Sequence, residues 1–175
     1  MAADVSGTRK VVGDIVLSGG TITGFIFEEG VTPTDIVIPE TIDSVTITEI
    51  GTNAFENKGL TSVVLPGTIT DIAERAFASN PLATINFPAG LKRIGGHAFY
   101  QTKLTSITLP EGLEEVGGAA FEACTNLASA NWPVSLGDNM SDGVFYDCTS
   151  LSAFTVPEGV TAIPQNLFFG CTSLK

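Results

Sequence analysis

The fold is decided by residues 104–124, which read Leu104-Thr-Ser-Ile-Thr-Leu-Pro-Glu-Gly-Leu-Glu-Glu-Val-Gly-Gly-Ala-Ala-Phe-Glu-Ala-Cys124. This block recurs along the chain. Its proline and its phenylalanine return at intervals of 22 to 27 residues, as Pro39, Pro66, Pro88, Pro110, Pro133 and Pro157, and as Phe55, Phe77, Phe99, Phe121, Phe145 and Phe168. Two residue types that keep nearly one period predict a β-rich solenoid in which each repeat is one coil.

Each repeat begins with a short extended segment. The alternation at Val63 and Leu65 predicts a half-buried strand, and Pro66 ends it because proline has no N–H to donate. A second, shorter extended segment is predicted through residues 69–72. Glycine pairs such as Gly95-Gly96 are predicted to let the chain turn before the phenylalanine. No segment has the sustained 3.6-residue period of a long helix.

The repeated block resembles the BspA-like, or Treponema-type, leucine-rich repeat. About six iterations extend this resemblance over residues 34–175. The resemblance implies a right-handed leucine-rich-repeat superhelix with a parallel sheet on its concave side and mostly irregular or short extended structure on its convex side. It also implies a bacterial or protist surface protein used in adhesion and partner binding.

The two ends of the chain depart from the repeat. Residues 14–17 and 21–27 are β-rich and flank Ser18-Gly19-Gly20, which predicts a hairpin that caps the solenoid within an N-terminal unit of residues 1–33. The 27-residue interval from Pro39 to Pro66 indicates a lengthened first repeat. No capping segment follows Leu174-Lys175, so we interpret the chain as truncated, or as self-associating through the exposed solenoid end.

The phenylalanine series has two interpretations. One ring per repeat could form an aromatic platform for a ligand. A buried spine is favoured, because each ring falls at the same position of its repeat and usually follows a small residue. Burying one such ring stabilises a fold by roughly 1.5–3 kcal/mol.

Cys124, Cys148 and Cys171 each lie three residues after a repeat phenylalanine. Coils stacked on one another would bring these sulfurs together, where they could pair or bind a metal. Their own motif supplies no histidine or acidic ligand, so buried inert thiols are favoured and no metal site is predicted.

Charge and hydropathy exclude several classes of function. The chain carries 19 acidic against 8 basic residues and a net charge of −11, which repels nucleic-acid phosphates and anionic lipid headgroups. No apolar run approaches the roughly 18 residues of a membrane span, and the first four residues do not resemble a secretory signal. Neither nucleic-acid binding nor membrane insertion is predicted.

Two other features invite a catalytic or ligand-binding interpretation. His97, with Lys92 and Arg93, forms a small basic cluster that could bind an anion, although a solvated edge is favoured. Residues 138–143 look superficially like a calcium loop, but Met140 occupies a ligand position, so a loop that accommodates an insertion is favoured, with Met140 equivalent to Ile72. No phosphate loop, serine-hydrolase elbow or metalloprotease motif is present, so neither an enzyme nor a cofactor is predicted.

The outward face of the first strand segment is the predicted binding site. If Val63 and Leu65 point inward, their neighbours point outward onto the concave sheet. The outward residues are almost all small and uncharged: Val37, Ser62, Val64, Thr84, Asn86, Ser106, Thr108, Ser129, Asn131 and Thr155, together with Asp35 and Ala153. Such a surface lets a polypeptide or glycan approach closely. The second segment, by contrast, carries a charged face: Glu49, Asp71, Lys92, Arg93, Glu114 and Glu115.

These features favour a noncatalytic protein-binding module of a bacterial surface or secreted protein. The predicted partner is a polypeptide, in particular host extracellular matrix, engaged in adhesion. The alternative is a structural or self-assembling repeat scaffold that forms homo-oligomers. A cell-surface or secreted location is predicted, with the periplasm as the alternative.

Overall fold

The described part of the chain is a stack of coils preceded by a hairpin. The structure is a computed structural model that describes residues 13–27 and 34–175. Its strands are β1 (Gly13–Ser18), β2 (Thr21–Phe27), β3 (Asp35–Val37), β4 (Thr41–Ile42), β5 (Val45–Thr46), β6 (Glu49–Ile50), β7 (Ser62–Val64), β8 (Asp71–Ile72), β9 (Thr84–Ile85), β10 (Arg93–Ile94) and β11 (Glu115–Val116). A 3-10 helix spans Val134–Leu136. Coils 1 to 6 cover residues 34–59, 60–81, 82–103, 104–126, 127–150 and 151–173.

The predicted hairpin is present. Strands β1 and β2 pair antiparallel, with a bulge between Val16 and Leu17. Strand β2 then pairs in parallel with β6 of coil 1, and the ring of Phe25 lies 5.6 Å from that of Phe55. The hairpin is thus continuous with the stack in both its sheet and its core. Residues 1–12 and 28–33 of the predicted N-terminal unit lie outside the described residues.

A second hairpin accounts for the longer first repeat. Strands β4 and β5 pair antiparallel through Thr41 with Thr46 and Ile42 with Val45. The two residues that join them, Asp43 and Ser44, have φ values of 49° and 65°. Positive φ at both turn residues is typical of the tight turns that match the twist of a hairpin. The extra residues between Pro39 and Pro66 are therefore accommodated as a local hairpin within coil 1.

The phenylalanine spine is confirmed. The repeat phenylalanines of coils 1 to 5 are completely buried, and that of coil 6 is partly buried. Successive rings are stacked nearly parallel, with centroids 5.1 to 6.2 Å apart and interplanar angles of 4° to 15°. Offset stacking of this kind adds about 0.5–1.5 kcal/mol per pair to the gain from burial. The rings therefore form the axis of the core and are not available as a ligand platform.

The segment around each phenylalanine is called the turn side. In coil 3 the N–H groups of His97, Phe99 and Gln101 donate to carbonyl groups of coil 4, at 2.8 to 3.0 Å. The same three donors recur at every boundary from coil 1 to coil 6, at 2.7 to 3.2 Å. All of them donate in the same direction along the stack.

Two residues on the turn side of each coil have left-handed backbone conformation, and this conformation produces the one-way pattern of hydrogen bonds. His97 and Gln101 have φ values of 53° and 56°, and the equivalent residues of the other coils also have positive φ: Asn53, Asn57, Arg75, Ser79, Ala119, Ala123, Gly143, Asp147, Asn166 and Gly170. Only two of these residues are glycine, although the left-handed region costs other residues roughly 1 kcal/mol. In coils 1 to 5 these residues donate across the coil boundary, and coil 6 has the same conformation at Asn166 and Gly170.

The predicted role of the glycine pairs is wrong. None of Gly95, Gly96, Gly117 and Gly118 has positive φ. A Cβ atom at Gly95 would lie 2.5 Å from the main-chain nitrogen of Glu74, and one at Gly117 would lie 2.5 Å from that of Gly96. Gly95 and Gly117 are required because neighbouring coils approach too closely there for a side chain, whereas Gly118 has only an ordinary contact distance. The residues that follow the glycine pairs make the turn.

Two sheets run along the stack on different sides of the core. The larger is called the second sheet and has the order β1-β2-β6-β8-β10-β11, and an isolated bridge from Val116 to Met140 continues it into coil 5. Met140 is buried, so its predicted equivalence with Ile72 is confirmed. The other sheet, β3-β7-β9, is parallel and covers coils 1 to 3.

The predicted parallel sheet is therefore only partly correct. Beyond coil 3 its side of the core carries single bridges, from Ser106 to Ser129 and from Ser129 to Ala153, in place of strands. At two coil boundaries, those of coils 2 and 3 and of coils 4 and 5, an asparagine side chain also replaces a main-chain partner next to this ladder. The more continuous sheet consists of the two-residue strands on the charged side.

Candidate functional site

The outward residues of the first segment form a continuous surface, called the strip. Strands β3, β7 and β9 align Asp35 with Ser62 and Ser62 with Thr84. Ile36 and Val63 alternate with them and are buried, which fixes the outward direction of the strip residues. In coils 4 to 6 the isolated bridges align Ser106, Ser129 and Ala153 in the same way.

Most of the predicted binding residues are exposed. Exposed residues are Val37, Val64, Thr84, Asn86, Ser106, Thr108, Ser129 and Thr155, whereas Ser62 and Asn131 are partly buried. The two valines expose 42% and 49% of their surface. At the coil 1 end the Asp35 carboxylate accepts hydrogen bonds from the Thr61 and Ser62 hydroxyls. The strip is therefore small, polar and nearly uncharged, with two apolar contact points.

Asn86 and Asn131 have a structural task within the strip. The Asn86 side chain accepts a hydrogen bond from the Leu65 N–H at 2.7 Å and donates one to the Leu65 carbonyl at 2.9 Å. Asn131 makes the same pair with Leu109, at the same two distances. Each carboxamide joins its own coil to the preceding one where a main-chain bond is missing. Replacing either residue would therefore disturb the fold as well as the surface.

The other two boundaries beyond coil 2 have no such bridge. Phe87 of coil 3 lies opposite Thr108, and Trp132 of coil 5 lies opposite Thr155, in the positions that pair Leu65 with Asn86. Within residues 13–27 and 34–175, no hydrogen bond joins the main chain of Phe87 or of Trp132 to a neighbouring coil. At the second of these boundaries a cleft of about 260 Å³ opens; it is lined by Ala130, Asn131, Trp132, Ala153, Phe154, Thr155 and Pro157.

The cysteines form part of a buried ladder of hydrogen bonds. The thiols of Cys124, Cys148 and Cys171 donate to the phenylalanine carbonyl of the preceding coil at 3.1 to 3.2 Å. All three are free and buried, as predicted. Burial raises the pKa of the Cys124 thiol to about 11 and also raises the pKa of the other two. These thiols are therefore protonated and unreactive at neutral pH.

Asn80 occupies the equivalent place in coil 2, and the sequence prediction missed it. Its carboxamide donates to the carbonyls of Phe55 and Phe77 and accepts from the N–H groups of Lys58 and Leu60. The residue is 1% exposed. A polar residue aligned with the cysteines by the repeat was the available signal, because Asn80, like each cysteine, lies three residues after a phenylalanine.

The basic cluster is neutralised by neighbouring acids. Arg93 pairs with Asp71, Lys92 with Glu114 at 2.9 Å, and His97 with Glu122 at 3.3 Å. Each basic group of the cluster thus has an acidic partner on an adjacent coil. Anion binding at this cluster would have to compete with all three pairs, so the solvated edge remains the better interpretation.

The loop at Asp138 lies within coil 5 and is hydrogen-bonded to coil 6. The Asp138 carboxylate accepts hydrogen bonds from the hydroxyl and the N–H of Thr161, which lower the pKa of Asp138. Asp142 accepts a hydrogen bond from the Gln165 N–H at 2.8 Å. Among the described residues no group of three or more His, Cys, Asp or Glu side chains could hold a metal ion. These aspartates have structural partners in coil 6.

Six copies of the BspA type leucine-rich repeat region are recognised in residues 48–175. The chain belongs to the BspA-type leucine-rich repeat family. Repeats of this family are typically protein-interaction modules of bacterial surface proteins and are generally noncatalytic. This BspA-type chain is similar to a solved leucine-rich repeat protein of Treponema pallidum, with 30% identity and a TM-score of 0.80, over 97% of this chain and 80% of that one.

Two further solved structures resemble this BspA-type chain. The pneumococcal vaccine antigen PcpA is 26% identical, with a TM-score of 0.66, over 90% of this chain and 45% of PcpA. A leucine-rich cell surface protein of Faecalibacterium prausnitzii has the same fold, with 24% identity and a TM-score of 0.59, over 95% of this chain and 52% of that one. The chain thus spans about half the length of these two proteins. No curated protein matches it significantly.

Among the described residues, no helix has the length and apolar character that crossing a bilayer requires.

Proposed function

We propose that this chain is a noncatalytic binding module of a surface or secreted bacterial protein, and that its strip binds a polypeptide of the host extracellular matrix in adhesion. The observation that carries the proposal is the exposure of the strip. Small uncharged side chains stand in line on coils that are fixed by a continuous core. A partner can reach the strip without displacing long or charged side chains.

The distribution of charge also favours the strip as the binding surface. The ion pair of Arg93 with Asp71 lies on the second sheet and that of Lys92 with Glu114 lies beside it, so a partner there would have to displace these pairs or accept the net acidity. On the strip the charged side chain is Asp35, whose carboxylate accepts hydrogen bonds from two neighbouring hydroxyls. A neutral surface with many hydroxyl groups offers donors and acceptors to an extended peptide at little cost in desolvation.

The size of the strip sets the strength of binding. Six coils at about 4.8 Å spacing extend roughly 24 Å, and the strip is only a few residues wide. That surface is smaller than the roughly 800 Å² per partner of a standard protein interface. Single contacts are therefore expected to be weak, and several chains displayed together should bind by avidity.

The test compares two double variants with the same added charge. The chain is displayed at high density on a biosensor surface and exposed to fibronectin, laminin and collagen. Thr84→Lys combined with Thr108→Lys places two cations on the strip, and we expect binding at least about tenfold weaker, or 1.4 kcal/mol. Thr41→Lys combined with Thr52→Lys makes the same change at two exposed threonines outside the strip.

The control variant should bind like the unmodified chain. Equal binding by both variants would exclude the strip as the contact surface. Failure of the unmodified, densely displayed chain to bind any of the three matrix proteins would overturn the matrix as partner.

A further inference from the structure

The cleft lies between coils 5 and 6, at a coil boundary that lacks the asparagine bridge found at two other boundaries. At the boundaries of coils 2 and 3 and of coils 4 and 5, an asparagine carboxamide pairs with both main-chain groups of one residue of the preceding coil. At the boundary of coils 5 and 6 the residue that would be bridged is Trp132, and Thr155 stands in the place of the asparagine. A threonine side chain has no amide to offer.

The main-chain groups of Trp132 are therefore left over. Over the described ranges 13–27 and 34–175, neither the N–H nor the carbonyl of Trp132 has a hydrogen-bond partner. The indole N–H is satisfied separately by the Gly137 carbonyl at 3.0 Å. Only 4% of the residue is exposed, and it lines the cleft. Unpaired main-chain groups at a largely buried residue favour the binding of a group that restores the pair.

We propose that this cleft binds a primary carboxamide, the side chain of an asparagine or glutamine in a partner polypeptide. The asparagine bridges at Leu65 and Leu109 define the hydrogen-bonding pattern that a ligand must supply. The ligand needs one acceptor for the N–H and one donor for the carbonyl, on the same edge of one group. A primary carboxamide has this arrangement. A single trans peptide bond points its N–H and carbonyl in opposite directions, and a carboxylate has no donor. One residue of an extended partner strand also presents both groups on one side, and the Leu peptide described below tests that alternative.

The surroundings of the cleft fit such a side chain. Its volume of about 260 Å³ has room for a carboxamide and its methylene groups beside Ala130 and Ala153. Trp132 and Phe154 supply an aromatic wall, with ring centroids 6.2 Å apart. The cleft opens next to Asn131 and Thr155 of the strip, so the inference rests on the proposed function and specifies which partner side chain the strip recognises.

The test uses blocked pentapeptides and a site-specific signal. Acetyl-Gly-Thr-Xaa-Thr-Gly-N-methylamide is titrated into the ¹⁵N-labelled chain, with Asn, Gln, Asp or Leu at Xaa; the N-methylamide avoids a second primary carboxamide at the peptide end. The main-chain amide resonance of Trp132 reports binding. We expect a saturable shift with the Asn or Gln peptide and binding at least about tenfold weaker with the Asp and Leu peptides.

Two variants with the same chemical change test whether the response comes from the cleft. Thr155→Asn should supply the missing carboxamide from within the chain and abolish the peptide-induced shift. Thr52→Asn makes the same change at an exposed threonine outside the strip and should leave that shift unchanged. A Leu peptide that binds as well as the Asn peptide, or an undiminished response in Thr155→Asn, would overturn the proposal.

The two proposals can fail separately. If the peptides give no selective response but Thr84→Lys with Thr108→Lys still weakens binding of matrix proteins, the carboxamide cleft is excluded and the proposed function stands. If the Asn peptide binds selectively but the lysine variant binds matrix proteins normally, the proposed function fails and the cleft remains a binding site.

Discussion

On the turn side each coil donates three main-chain hydrogen bonds to the next, whereas on the strip the main-chain ladder ends at coil 3 and is resumed by single bridges. Both sides belong to the same coils and share the same phenylalanine core. The turn side repeats its bonds at every boundary even though this requires left-handed backbone at residues such as His97 and Gln101. Stacking is thus secured by the turn side and the second sheet, which leaves the strip freer to vary in sequence.

Among the variants that test this comparison, truncation of a ring in the phenylalanine spine should have the largest effect on the free energy of unfolding. Phe99 is completely buried between Phe77 and Phe121, and Phe99→Ala removes two stacked contacts as well as the buried ring. We expect a loss of about 3–5 kcal/mol in the free energy of unfolding, measured by urea denaturation. Thr84→Ala on the strip should change it by less than about 0.5 kcal/mol. Similar losses for the two variants would refute the assignment of stability to the core and turn side.

Close approach of the coils can be tested with two glycines. Gly95→Ala would bring a Cβ atom to 2.5 and 2.6 Å from main-chain atoms of coil 2, which cannot move independently. We expect a loss of about 2–3 kcal/mol and a lower melting temperature. Gly67 has no atom within 4 Å of the equivalent Cβ position and no positive φ, so Gly67→Ala is the matched control and should be neutral or slightly stabilising. A tolerated Gly95→Ala would show that the boundary of coils 2 and 3 is looser than its geometry indicates.

Because the cysteine thiols are buried, we expect the folded chain to lose stability at alkaline pH. The Cys124 thiol has a pKa of about 11 in the folded chain, above the ordinary value of 9.0 that the unfolded chain should have. Between these values the unfolded state has released the proton and the folded state has kept it, so stability falls as the pH rises. The expected contribution of Cys124 to the loss of stability from pH 7 to pH 10 is about 1.4 kcal/mol.

Cys124→Ser provides the control for this measurement, because it removes the titrating thiol and retains a hydrogen-bond donor. The difference in unfolding free energy between pH 7 and pH 10 should shrink by that amount in the variant. Identical pH profiles for the two proteins would mean that water reaches the ladder.

Much of the stack could be predicted from the sequence, because its signals are repeated. The period of the phenylalanines predicted the coils and the spine, and the alternation at Val63 and Leu65 predicted which strand residues face outward. Averaging over six copies makes such a pattern reliable even where one copy departs from it.

Features that depend on the contact between neighbouring coils could not be predicted in this way. Whether Asn86 faces a partner or bridges two coils depends on the distance between neighbouring main chains, which no pattern within one repeat contains. The glycine pairs were misinterpreted for the same reason. The requirement at Gly95 and Gly117 comes from contact with the preceding coil, and the φ values of both residues are ordinary.

The one-way hydrogen bonds of the turn side have a consequence for how such a chain can evolve. Every boundary presents the same three donors on one coil and the same three acceptors on the next. Duplication or deletion of a whole 22-residue unit, such as residues 82–103, would therefore join surfaces that already fit. The length of the solenoid can therefore change by whole coils in a single genetic event, and no new interface between coils has to evolve first.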